Sequence, residues 1–214
     1  ARFHHMDVRL NTSVERIDRD GAGWQLRTSG GDLHSEQVIL ASGYAHTPYV
    51  PDWPGRDAYD GELIHAAAYR NAEPFRDSDV LVVGAGCSGM EIAYDLVDAG
   101  VERVRVAVRT PPNFLIRSPI GPLLGRQLMK LGARRADRVM KLVRRLEVGD
   151  LTEYGLPAPE EGIFARLARL GVAPAIVDKV VIEAIKERRI EIVAGVESLD
   201  ATGFGLSDGT RIEP

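Results

Sequence analysis

Cysteine is almost missing from this chain. Its 214 residues hold one, Cys87, so no disulfide can form within them. A lone thiol suits a reducing compartment, and the expected location is cytoplasmic. No apolar run approaches the length of a membrane span. The opening residues, ARFHHMDVRL, lack the apolar core of a signal peptide, and the chain begins with Ala. It reads as a piece of something longer. Charge of one sign is not in large excess: 27 Lys and Arg stand against 31 Asp and Glu, a net charge of −4, which gives no general attraction for nucleic acid. Internal repeats and low-complexity segments are absent. What is there is ordinary for a globular protein, 44% hydrophobic and 27% charged. That excludes a disordered tail, a collagen-like chain and a coiled-coil rod, and leaves room for one or two domains.

The expected elements change along the chain. Residues 5–45 read as β structure, short alternating runs separated by Gly and Asp turns, with a hairpin turn at Gly30-Gly31 and a buried strand in QVILASG. Residues 44–79 carry Pro48, Pro51, Pro54 and Pro74 and read as a long irregular connector. DVLVV at 79–83 is a continuous apolar run, as in a strand buried on both faces. A glycine turn follows, then a helix with Ile92, Ala93, Leu96 and Val97 on one face, then the strand RVRVAVR. Strand, turn, helix and strand within about thirty residues make a βαβ unit. Residues 120–147 read as a basic amphipathic helix, interrupted near Gly132, with Leu124, Leu128, Leu131, Val139, Val143 and Leu146 at helical spacing. Between Arg117 and Glu147 nine Lys and Arg face two acids. Residues 149–162 read as a loop, 176–188 as a helix, and RIEIVAGVESLD and GFGLSDGTRIEP as strands around turns, which are expected to extend the parallel sheet. The fold class expected is α/β.

The chemistry is carried by Gly84-Ala85-Gly86-Cys87-Ser88-Gly89, a G-x-G-x-x-G run that ends a strand and opens a helix. Gly84 allows the tight turn, Gly86 lets a pyrophosphate approach the backbone, and Gly89 lets helix and strand pack closely. Free N–H groups at the helix start, at the positive end of its dipole, suit an anion. Binders of NAD place an acid about twenty positions on, to take the ribose hydroxyl. Here Arg109 stands twenty positions past Gly89, and RVRVAVRT contains no acid. A guanidinium grips a 2′-phosphate that a carboxylate would repel, so NADP(H) is expected over NAD(H). A solvated strand end is the other reading of Arg109.

These residues carry a resemblance. VLVVGAGCSGMEIAYDL is similar to the second, NADP-binding glycine motif of the flavin-containing monooxygenases, the class B flavoprotein monooxygenases that use FAD and NADPH. YDGELIHAAAYR resembles that family's F-x-G-x-x-x-H-x-x-x-(Y/F) fingerprint, with Tyr59 in place of Phe and Gly61, His65 and Tyr69 matching. VILASGYAHTPYVPDWPG resembles its A-T-G segment and following P-x-x-P, with Ser42 for Thr. RTPPNFLIR, YGLPAP and IKERRIEIVAGVESLD follow the segment order of bacterial and plant-like, auxin-forming relatives. The departures are an absent FAD glycine motif, Cys87 where the family usually has Asn, and no segment after Pro214 to close the FAD domain. The run Ala201–Gly203 reads as a turn instead.

The resemblance implies a Rossmann-type three-layer dinucleotide-binding domain with a β-rich remnant of the FAD domain. Residues 1–45 would be that partial FAD-domain segment, 46–78 the inter-domain connector, and 79–214 the NADP-binding domain. The implied activity is that of an FAD- and NADPH-dependent monooxygenase, which uses dioxygen to oxygenate a small organic substrate. The cofactors are NADP, held here by Gly84 to Gly89 and Arg109, and FAD, whose site is incomplete in these residues. The piece alone would be inactive. An NADPH-dependent flavoprotein reductase and a non-catalytic dinucleotide-binding module are the alternatives. No residue stands out as catalytic. In the family the position of His65 is structural or domain-coupling, and Tyr69 is a packing residue. The adjacent His4 and His5 lack a third ligand and define no metal site. Glu91, read as part of the first helical turn, suits the dipole. The basic helix is read as an ordinary packed helix with a solvated face, and membrane contact is not expected. An anionic membrane surface, or a surface of the FAD domain or of another subunit, is its other reading, and self-association into a homo-oligomer is open.

Overall fold

The computed structural model describes residues 7–43, 47–118, 121–171 and 174–213, without the side chains of 121–123. The chain divides into two units, residues 1–47 and 48–214.

The first unit is built on an antiparallel sheet of β1 (Val14–Asp20), β2 (Gly23–Thr28) and β3 (Leu33–Ser35), in that order. Gly31, at φ +107°, turns the chain between β2 and β3, as the Gly30-Gly31 pair suggested. The expected buried strand in QVILASG does not form. Residues 37–43 lie outside any strand, with Ile39 90% and Leu40 77% exposed. A strand buried on both faces needs a paired neighbour and a layer on each side, and the three strands of this unit supply neither.

The second unit is α/β and is centred on a parallel sheet in the order β4 (Asp79–Val83), β5 (Arg103–Val108), β8 (Ile190–Ala194). Period-two alternation sorts its apolar residues between two faces. Val80, Val82, Val104, Val106, Val108, Ile190 and Ile192 join one core with Met90, Ala93 and Leu96 of α1 (Cys87–Asp98) and Val181, Ile182 and Ile185 of α5 (Lys179–Lys186). Leu81, Ala107 and Val193 join a second core with Val196, Leu199, Phe204 and Leu206. Those last residues belong to an antiparallel sheet of β9 (Val196–Leu199), β10 (Phe204–Leu206) and β11 (Arg211–Ile212). Helices, parallel sheet and antiparallel sheet thus make three layers of Rossmann type. Only β8 extends the parallel sheet, although the later strands were expected to do so as well. One residue, Gly195, separates β8 from β9, and a parallel return needs a crossover of a dozen residues or more. Ala201–Gly203 lies in the turn between β9 and β10, as read.

The proline-rich stretch is stitched to this unit. The Leu199 amide donates to the Pro54 carbonyl at 2.8 Å and the Asp60 amide to that of Ala201 at 3.0 Å. The Tyr59 ring lies 5.0 Å from that of Phe204.

Between β5 and β8 the chain inserts β6 (Phe114–Ile116), α2 (Gly121–Met129), α3 (Ala133–Glu147), α4 (Ile163–Leu170) and β7 (Ala175–Val177), with β6 and β7 paired in parallel. The break near Gly132 is real: φ there is +79° and α3 starts at the next residue. Leu128, Ala136, Met140 and Ile163 form a separate small core, with Val143 packed against it. Leu124, Leu131, Val139 and Leu146, expected on the buried stripe, are exposed, and so is Leu142. The helix expected at 176–188 begins only at Lys179, because Ile176 and Val177 are taken up by β7.

Helix α4 has no side-chain cap from its own N-cap residue, Gly162. Asp137 of α3 supplies it: Oδ1 accepts from the Phe164 amide at 2.8 Å and Oδ2 from the Ala165 amide at 3.1 Å. A capping carboxylate contributes about 1–2 kcal/mol. Asp137→Ala is therefore expected to lower stability by about that amount in urea denaturation. An unchanged midpoint and slope would show that the cap is idle.

Candidate dinucleotide site

The site lies at the C-terminal edge of the parallel sheet. Strand β4 ends at Val83 and the chain turns at Gly84, whose φ of +108° favours glycine. The Gly84 amide donates to the Ala107 carbonyl at 2.9 Å. The bend is thereby tied to β5 two residues before Arg109. Gly86 is the N-cap of α1, and its carbonyl accepts the first helical bond, from Met90, at 3.0 Å. A Cβ at Gly84 or Gly86 would meet nothing within 4 Å. Gly84, Gly86, Cys87 and Ser88 are exposed, and Ala85 is buried beneath them. The bend is open to a ligand.

Gly89 is different. A Cβ there would lie 2.0 Å from the Gly84 carbonyl oxygen. Helix and strand end can meet only because position 89 carries no side chain. The first turn of α1 holds no acidic residue. Its free amides and the positive end of its dipole therefore face no carboxylate of that turn.

The Cys87 sulfur accepts from the Ile176 amide at 3.3 Å, which links the glycine-rich bend to β7. Arg109 is exposed, one residue past the end of β5, and among the described residues it has no ion pair. Glu91 needs correcting. It lies beyond the first turn, and its Oε1 meets the Arg117 guanidinium at 2.7 Å. Arg117 also reaches Asp178, the N-cap of α5, at 2.9 Å. Arg117, at the end of β6, thus bridges Glu91 of α1 and the start of α5. Only the charge of these residues was visible beforehand, because the three lie far apart in the chain.

The fingerprint residues make local and packing contacts. The hydroxyl end of Tyr59 lies against Gly61, whose Cβ would come 2.3 Å from the phenol oxygen and 2.4 Å from Cζ. His65 Nδ1 accepts from the Ala67 amide at 3.0 Å and shapes a turn. Tyr69 stacks on Phe75 at 5.8 Å and donates to Asp95 of α1. His4 and His5 lie outside the described residues. Among the described residues no three His, Cys, Asp or Glu converge as a metal site, and no helix is long and apolar enough to cross a membrane.

Residues 1–148 match the pyridine nucleotide-disulphide oxidoreductase family. The chain belongs to that family. Within it, the resemblance to flavin monooxygenases holds. The chain is 33% identical over 221 residues to a probable indole-3-pyruvate monooxygenase, YUCCA10, of Arabidopsis thaliana, covering 99% of this chain and 56% of that protein. It is 30% identical over 208 residues to the indole-3-pyruvate monooxygenase YUCCA1 of Oryza sativa subsp. japonica, covering 94% and 51%. The chain spans about half the length of the curated relatives it matches. Its fold is shared with a flavin-containing monooxygenase of Stenotrophomonas maltophilia (TM-score 0.57, 18% identity, 99% of this chain and 50% of that one). A cyclohexanone monooxygenase of Rhodococcus sp. Phi1 bound to NADP+ is similar in the same way (TM-score 0.59, 18% identity, 94% and 50%).

Burial, and next the bond to Asp95, hold the Tyr69 phenol above its ordinary range. Such a group stabilises the fold fully below its unfolded pKa of about 10 and loses that contribution as pH rises through its folded value. Burial raises the Tyr59 phenol as well. Absorbance titration is expected to show these two tyrosines ionising after the exposed ones, and Tyr69→Phe to remove one of the two late steps. An unchanged late amplitude after the substitution would contradict the assignment.

Proposed function

We propose that this chain is the NADP(H)-binding portion of an FAD- and NADPH-dependent monooxygenase that oxygenates a small organic substrate with dioxygen. The observation that carries the cofactor reading is the open bend at Gly84 and Gly86, joined through Gly84 and Ala107 to the strand that ends one residue before Arg109. The family, the monooxygenase relatives and the NADP+ held by a fold neighbour support the rest.

In this reading the diphosphate lies against Gly84, Ala85, Gly86, Cys87, Ser88 and Gly89, with the first amides of α1 as donors. Arg109 takes the 2′-phosphate by paired, charge-assisted hydrogen bonds. Bound NADPH supplies a hydride for flavin reduction. The chain's own residues bind and orient. Tyr59 and Tyr69 fasten the connector to β10 and α1, and Glu91, Arg117 and Asp178 hold the helix starts in place. One G-x-G-x-x-G bend is present, and the residues here do not complete a site for FAD. Residues 1–45 are read as the FAD-domain segment, 46–78 as the connector and 79–214 as the NADP-binding domain. The lone cysteine suits the cytoplasm.

The 214-residue chain is expected to bind NADPH more tightly than NADH in calorimetric titration and to show no turnover. Arg109→Ala should weaken NADPH by about 1.5–3 kcal/mol, the scale of hydrogen bonds to a charged group, and leave NADH unchanged. Tighter binding of NADH would reject the cofactor reading. NADPH oxidation coupled to oxygenation by the chain alone would reject the reading as a portion of the enzyme.

A further inference from the structure

Gly195 is the single residue between β8 and β9. A methyl group built on it would fall 2.9 Å from the Cα of Arg109, 3.0 Å from its Cβ and 3.3 Å from its backbone nitrogen. Gly195 is not among the glycines with positive φ, so the obstacle to a side chain is this contact and not the backbone conformation. Two of the three approaches are to backbone atoms. A rotamer change cannot relieve them.

Neither partner is free to slide. The β5–β8 register runs to Val108 opposite Ala194, the residues just before the pair. The Gly195 carbonyl accepts the Ser207 amide at 2.8 Å, which holds the link from the antiparallel sheet. Arg109 is thus confined by β5 on one side and by a bare glycine on the other.

We infer that Gly195 is a positioning residue for cofactor selectivity. Its missing side chain lets the β8–β9 link lie against the Arg109 backbone and so sets the direction in which the guanidinium leaves the sheet. The inference rests on Arg109 being the 2′-phosphate ligand. A planar fork meeting a phosphate depends on aim, and a small backbone displacement grows along so long a side chain. The diphosphate end of the site hangs from Gly84 and Ala107 and does not touch Gly195, so the effect falls on the phosphorylated cofactor alone.

The test is a double-mutant cycle on this chain: dissociation constants for NADPH and NADH in the unsubstituted protein, Arg109→Ala, Gly195→Ala and the double variant, with folding checked by circular dichroism. Gly195→Ala is expected to weaken NADPH by about 3- to 10-fold and NADH by less than about twofold, with no further loss of NADPH when Arg109 is already Ala. Equal weakening of both cofactors, or a full effect that persists without Arg109, overturns the proposal and leaves the Arg109 reading standing. If Arg109→Ala leaves NADPH binding unchanged, the Arg109 reading fails and the proposal with it. Should Gly195→Ala not fold, Ser207→Pro removes the amide that holds the Gly195 carbonyl without adding an atom near Arg109. A lower NADPH preference in that variant supports the proposal, and an unchanged ratio overturns it.

Discussion

Two glycines meet where β4 becomes α1, and most of the second unit follows from that contact. With a Cβ on Gly89 placed 2.0 Å from the Gly84 oxygen, the helix starts against the strand end only if position 89 is bare. The close start carries Met90, Ala93 and Leu96 onto the face of Val104, Val106 and Val108. It also leaves Gly84, Gly86, Cys87 and Ser88 exposed outside the core. A larger residue at 89 would lever the helix away from the sheet, opening a gap beneath Met90 and Leu96. Vacated core volume of that kind costs several kcal/mol. The same contact thus serves packing and keeps the bend open.

The parallel sheet and its bend were legible because their signals are local. DVLVV, six residues of glycine-rich turn and a helical stripe are contiguous, and the context that gives the motif meaning spans about thirty residues. The β6–β7 pair was not legible. Each strand has three residues, too few to show a period, and the partners lie some sixty positions apart. Helix α4 was missed for a related reason: its start has glycine where a polar cap is usual, and the capping carboxylate comes from α3. Glu91 was read from its own helix alone, and its partners, Arg117 and Asp178, arrive by tertiary folding. The apolar run at Gln37–Gly43 was read as a buried strand on composition, but composition cannot supply the neighbours such a strand requires.

The basic helix shows how periodicity can point to the wrong face. Along α3, Ala136, Met140 and Val143 form one stripe and Val139, Leu142 and Leu146 another, both at helical spacing. A hydrophobic pattern alone does not say which stripe is inside. Packing decides it. Asp137 must face α4 to cap it, and a Cβ at Gly162 would fall 2.2 Å from the Asp137 carboxyl carbon, so the two elements are in close contact there. That fixes the rotation of the helix and turns Leu142 and Leu146 outward, 59% and 78% exposed. A polar contact thus sets which apolar residues are buried.

The division of charge around the start of α1 bears most directly on which nucleotide the unit would take. Glu91 and Asp178 are the carboxylates drawn toward the helix starts, and one guanidinium, Arg117, bridges both. Arg109 is left without a carboxylate partner among the described residues. A glycine bend and a helix dipole attract any diphosphate equally, whether or not the adenosine carries a further phosphate. Preference between the two must come from a group beyond the bend, and a guanidinium already paired with a carboxylate would have to break that pair first. The reading of NADP(H) over NAD(H) therefore depends less on the glycine motif than on Arg109, which is exposed and has no ion pair among the described residues.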